Sequence, residues 1–136
     1  RRLKQRYRLA IVSNVDDDLF ALSARFLEVD FDWVITAEQA RSYKPSAANF
    51  RLAMQRIAVP SERILHVAQS VRHDIVLASA LGLSTVWVNR GGDTGTAGTA
   101  SGTRTSARVE ADLEVPDLKS LVAWMDSGPA SRERRA

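Results

Sequence analysis

The chain has 136 residues, 45% of them hydrophobic and none of them cysteine, which suits one domain whose core leaves much surface in water. Without cysteine there is no disulfide framework, no thiolate zinc site and no catalytic thiol, and a reducing cytoplasm is the default compartment. The formal net charge of +3 sits in the terminal stretches "RRLKQRYR" and "SRERRA" rather than on a basic face with interleaved aromatics, which argues against nucleic acid, and no apolar run approaches the roughly 20 residues of a membrane helix.

"YRLAIVSN" (7–14) reads as a buried parallel strand that stops at a loop. The acids of "DDDLFALSARFLEV" suit a helix N-terminus, and Leu19, Leu22, Phe26 and Leu27 recur at helical spacing. "FDWVITA" (31–37) is a second strand, and "RSYKPSAANF" a loop, because Pro45 disfavours helix at Lys44 and Ser46 suits a cap. A helix over 47–58 presents Phe50, Met54 and Ile57 on one face; "VPSER" breaks it, and "ILHVAQ" (64–69) is the third strand. The next helix carries Ile75, Ala78 and Leu81 and stops at Gly82, a left-handed cap residue. "STVWVNR" (84–90) is the fourth strand. From Gly91 to about residue 107 the composition is nearly all Gly, Thr, Ser and Ala, which predicts a flexible loop. "ADLEV" follows as a short edge strand, then "PDLKSLVAWMD" as a helix with Leu118, Leu121, Val122 and Met125 facing in. One domain is expected over 1–126, with 127–136 a disordered basic tail.

Strands alternating with helices predict an α/β fold: a parallel sheet with right-handed crossovers and flanking helices, three layers in all. Ligand sites in such sheets form at the carboxyl ends of the strands. Ser13 and Asn14, Lys44, and the stretch Gln69–Asp74 are placed just beyond such ends. Ser13 and Asn14 offer a hydroxyl and a carboxamide for an oxyanion or halide, although small polar residues there also serve as turn formers and helix caps. Lys44, pinned before a proline, delivers a positive charge to an anion; an exposed loop lysine is the commoner outcome for that residue type. Asp74 lies in the first turn of its helix, where the dipole favours a carboxylate whatever the function, and its functional reading is to fix the Lys44 ammonium. Of the two histidines, His66 lies within a strand and reads as packing, while His73 is the better candidate for chemistry. Trp33, Trp87 and Trp124 are most simply core.

The order "IVSN", "SYKPS", "HVAQSVRHDIVLASALGLSTVWVNR" resembles the haloacid dehalogenase (HAD) superfamily, specifically its type II 2-haloacid dehalogenase-like branch, over about residues 6–125. The resemblance implies a Rossmann-like sheet and a hydrolase in which an aspartate on the first strand attacks the substrate, forming an ester that water then cleaves. It assigns Ser13 and Asn14 to the second motif, which binds the substrate's carboxylate, phosphate or leaving group. Lys44 becomes the charge-balancing lysine of the third motif, Asp74 the later acid of the fourth, and Ser70 the small polar residue beside the earlier position. That earlier position is Gln69, where phosphatases of the superfamily commonly carry an aspartate and hold magnesium with the acidic pair. Expelling a halide from carbon needs no cation, so Gln69 tilts the reading toward a cofactor-free dehalogenase.

No Asp-x-Asp or Asp-x-x-Gly-Thr motif precedes "IVSN", and Asp16, Asp17 and Asp18 follow the second motif, so none is nominated as nucleophile. The expectation is the C-terminal part of a longer enzyme, truncated on its N-terminal side, without the first strand and helical cap and inactive alone. The first strand's absence is expected to leave a gap in the sheet or to let its neighbours close on each other. The alternatives are a magnesium-dependent phosphatase and a degenerate, non-catalytic domain of the same fold. The expected partner is a small anionic substrate, without membrane or nucleic acid; an unfilled sheet edge also invites a second copy as a homodimer.

Overall fold

The computed structural model describes residues 1–91 and 111–127. The expected flexible loop beyond Gly91 and the expected tail beyond Ser127 therefore lie outside the described residues. The chain divides into two compact units, Arg1–Ile64 and Leu65–Ala136.

In the first unit, Ala10–Val12 forms β1, Asp17–Leu27 α1, Trp33–Ile35 β2, Ala37–Ala40 α2 and Ala48–Ile57 α3. β1 and β2 pair in parallel, with Ile11 opposite Val34, and the Ser13 N–H donates to the Ile35 carbonyl at 2.9 Å to continue the ladder. Ile35, Ala37, Phe50 and Ala53 are buried. They come from β2, α2 and α3, so the short apolar strand and the Phe50 stripe supply this core. Asp32, just before β2, accepts from the Leu9 N–H at 2.7 Å and from Lys4 Nζ at 2.5 Å. These bonds, led by that from Lys4, hold its carboxyl below the usual carboxylate range.

Two local expectations need correction here. α1 forms where the spacing predicts it, yet none of its residues is buried: Leu19, Leu22 and Leu27 are exposed, and Phe26 is 85% exposed. Periodicity shows that a helix has an apolar face; whether anything covers that face is a matter of tertiary packing. The second strand, expected over 31–37, also ends at Ile35, because Thr36 caps α2, its hydroxyl accepting from the Gln39 N–H at 3.2 Å. "TAEQ" is the T-x-x-Q capping signature. Thr36 is fully buried and donates to Asp17 Oδ1 at 2.6 Å, while Gln39 Nε2 donates to the same oxygen at 2.7 Å. Asp17, its carboxyl pushed down chiefly by the Thr36 bond, thus ties the start of α1 to α2.

In the second unit, Leu65–Ala68 forms β3, Val76–Ala80 α4, Ser84–Val88 β4, Leu113–Val115 β5 and Leu118–Asp126 α5. The strand order is β3–β4–β5, with every pairing parallel. β4 is the central strand, and Thr85, Val86, Trp87 and Val88 are all buried, which explains its unbroken apolar run. Ile75, Ala78, Leu83, Val115, Leu121 and Met125 complete this core. β5 is an edge strand as expected. It is fastened by Asp112, which accepts from the Thr85 N–H at 2.7 Å and the Thr85 hydroxyl at 3.0 Å. Gly82 adopts φ 78°, the left-handed cap its position demanded. Leu118 does not face in: it is half exposed, in a first turn whose neighbours Pro116, Asp117 and Lys119 are all exposed.

The described strands thus form a two-stranded and a three-stranded sheet. Among the described residues β1 has β2 as its ladder partner and β3 has β4. No described helix is long and apolar enough to cross a membrane.

Candidate functional site

The first unit brings Asn14 and Lys44 together. Asn14 follows the carboxyl end of β1, and its side chain clamps the Lys44 backbone from both sides: Nδ2 donates to the Lys44 carbonyl at 3.1 Å, and Oδ1 accepts from the Lys44 N–H at 2.7 Å. The carboxamide's acceptor and one of its two donors are thereby engaged, leaving one N–H for other work. Lys44 does not directly follow a strand, as its motif suggested; α2 and the turn after it intervene. Its side chain nevertheless returns to β1, where Nζ donates to the Val12 carbonyl at 3.1 Å. The Lys44–Pro45 bond is cis, and Tyr43 donates its hydroxyl to Asp16 at 3.3 Å. Ser13 is half-buried beside Asn14.

In the second unit the chain leaves β3 at Gln69, whose side chain is exposed and whose carbonyl accepts from Trp87 Nε1 at 3.0 Å. Trp87 stands beside this exit because Ala68 is paired with it in the ladder. Ser70 then caps a π-helical turn, Val71–Ile75, its hydroxyl accepting from the His73 N–H at 3.1 Å and lying 3.0 Å from His73 Nδ1. The N–H groups of Asp74 and Ile75 both donate to the Ser70 carbonyl at 3.2 Å, the widened turn expected of π geometry, which recurs at functional sites. Asp74 is 6% exposed, the only buried acidic residue among those described. His66 Nε2 lies 3.3 Å from its Oδ1, and the two side chains are 14% and 9% exposed.

Each unit therefore positions part of the sequence-derived set: Ser13, Asn14 and Lys44 in one, Ser70 and Asp74 in the other. A cation carried on a clamped backbone suits charge balance at an anionic centre; a buried carboxylate held by a ring nitrogen is a fixed negative charge. Sequence reasoning passed over two residues. His66 was assigned to packing and instead faces Asp74, and Trp87, assigned to the core, is buried there but also secures the turn with its N–H. A polar ring at a half-buried strand position requires a partner, and the acid eight residues on was the available signal. His73, the favoured histidine, is exposed and bonds locally to Ser70. Among the described residues no three His, Cys, Asp or Glu side chains cluster as a metal would require.

The family model described as HAD-hydrolase-like matches residues 43–121. Haloacetate dehalogenase H-2 of Moraxella sp. (strain B) is 33% identical over 95 residues, 68% of this chain and 42% of that protein. Haloacid dehalogenase-like hydrolase domain-containing protein 3 of Danio rerio is 33% identical over 81 residues, 59% of this chain and 34% of that protein. Among solved structures, the L-2-haloacid dehalogenase of Xanthobacter autotrophicus superposes with a TM-score of 0.73 at 25% identity, covering 92% of this chain and 57% of that one. A HAD phosphatase from Thermococcus onnurineus gives 0.71 at 27% identity, over 91% of this chain and 53% of that one. The chain thus spans less than half the length of these curated relatives and little more than half that of these solved chains. It belongs to the HAD-hydrolase-like family of the haloacid dehalogenase superfamily, in the 2-haloacid dehalogenase-like branch.

Proposed function

We propose that this HAD-like hydrolase chain serves a hydrolytic 2-haloacid dehalogenase, supplying the anion-binding and charge-balancing groups while the attacking carboxylate is contributed from outside these 136 residues. In that reaction a carboxylate oxygen forms a bond to C2 of a small 2-haloalkanoate, and the carbon–halogen bond breaks with its electron pair leaving on the halide. Water then cleaves the ester at its carbonyl, releasing the 2-hydroxy acid and a proton and regenerating the carboxylate. Ser13 and Asn14 receive the anionic substrate or the halide, with Ser70 beside them in role. Lys44 offsets the negative charge of nucleophile and intermediate, and Asp74 supplies the opposing fixed charge.

The observation that carries this reading is the turn after β3, where an exposed Gln69 and a single buried acid, Asp74, stand in place of an acidic pair. An amide and one carboxylate do not fit a divalent cation, which prefers several oxygen donors including carboxylates. Displacing halide from carbon requires no such cation, because the leaving group is a weakly basic anion.

The test is halide release from 2-chloropropanoate by the protein translated from the complete reading frame. Turnover in the presence of EDTA is expected, and so is no turnover by the 136-residue chain alone. Magnesium-dependent release of phosphate from a phosphomonoester, without halide release, overturns the reading in favour of a phosphatase. Halide release by the isolated chain, abolished by Lys44→Ala, overturns the placement of the nucleophile elsewhere. Neither activity leaves a non-catalytic domain.

A further inference from the structure

We propose that His66 is the positioning residue of Asp74, a role that rests on the dehalogenase reading for its catalytic meaning but on local geometry for its existence. Burying a carboxylate without compensation costs several kcal/mol, and Asp74 is the only acid among the described residues that is buried. His66 is the second residue of β3, held opposite Thr85 in the ladder, so its ring is fixed by a strand rather than by a loop. Asp74 sits on the π-helical turn that begins three residues after β3 ends. The turn brings its carboxylate back against that strand, with Nε2 and Oδ1 separated by 3.3 Å.

The chemistry of this contact is directional. A carboxylate oxygen only accepts, so the bond requires a proton on Nε2, and a neutral ring is thereby held in the Nε2–H tautomer. The donated proton holds Asp74 Oδ1, so the carboxylate presents its charge in one orientation. The Trp87 N–H on the Gln69 carbonyl and the Ser70 cap secure the backbone of the same turn. His66 thus orients the side chain, while those two groups orient the main chain.

Two measurements test this. Long-range ¹H–¹⁵N NMR on the 136-residue chain reads which ring nitrogen of His66 carries hydrogen. Protonation at Nε2 is expected, and a neutral Nδ1–H tautomer overturns the proposal. In the protein from the complete reading frame, His66→Phe removes the donor, whereas His66→Gln replaces it with an amide N–H of similar reach. For Phe, kcat for halide release should fall on the order of 10- to 100-fold with KM nearly unchanged, the scale expected when a charged group loses its alignment. Gln should recover most of the loss. Equal kcat values for Phe and Gln, whether both low or both like wild type, overturn the proposal. Should His66→Phe fail to fold, Gln against wild type and the tautomer measurement still decide it. If the wild-type protein releases no halide at all, the dehalogenase reading falls and the tautomer alone decides whether His66 positions Asp74.

Discussion

Asn14 offers the sharpest test of how the first unit holds its lysine. Asn14→Ala deletes two hydrogen bonds to the Lys44 backbone, one of 3.1 Å to the carbonyl and one of 2.7 Å from the N–H. A neutral intramolecular bond contributes about 1 kcal/mol net, giving an upper value of about 2 kcal/mol. Asn14 is exposed, so water replaces part of what is lost, and we expect a destabilisation of about 1–1.5 kcal/mol. For a chain of this size that lowers Tm by about 4–6 °C. Urea unfolding followed by circular dichroism measures the free energy, and amide hydrogen exchange locates it. The Lys44 amide should exchange roughly 5- to 10-fold faster in the variant. The Ser13 amide, bonded to the Ile35 carbonyl in the β1–β2 ladder, should change less. Unchanged exchange at Lys44, or an equal rise at Ser13, refutes the clamp, because the first means that the bonds contribute nothing and the second that the loss is global.

Two further outcomes are expected. Ala58 ends α3 at φ 52° and is exposed, a left-handed conformation that costs a residue with a Cβ about 1–2 kcal/mol; Ala58→Gly should raise stability by about 0.5–1 kcal/mol once glycine's greater backbone entropy is offset, and a lower Tm contradicts this. The Asp32 carboxyl is held below its usual range by the Lys4 and Leu9 bonds, so its stabilisation is present above the unfolded-state value of about 3.9 and is lost as pH falls through the lower folded-state value. Asp32→Asn should therefore be less stable than wild type at pH 7, with the two urea midpoints converging below about pH 4; a difference that persists unchanged into acid contradicts the assignment.

The α/β architecture was legible because strand and helix signals are local. "STVWVNR" holds the apolar run Val86–Val88, buried in the middle strand of its sheet, and Gly82 marks a left-handed turn that a Cβ would penalise. The same kind of local signal was present and overlooked in "TAEQ", which caps α2. Burial was less legible: Leu118 follows the apolar stripe of α5 and Leu19, Leu22 and Phe26 that of α1, yet all four stay exposed, since periodicity names a face without naming what covers it.

By itself the sequence determined the parallel α/β class, the family, and the candidate residues Ser13, Asn14, Lys44, Ser70 and Asp74, because motif order and residue chemistry are written along the chain. Only the tertiary structure decided that Asn14 grips the lysine's backbone, that the turn bearing Asp74 is π-helical, and that His66 and Trp87 are its supports. Those are relations between residues separated in sequence, set by which ladder register places Trp87 beside Ala68 and by how a turn one residue wider than usual carries a carboxylate back onto the strand it has just left.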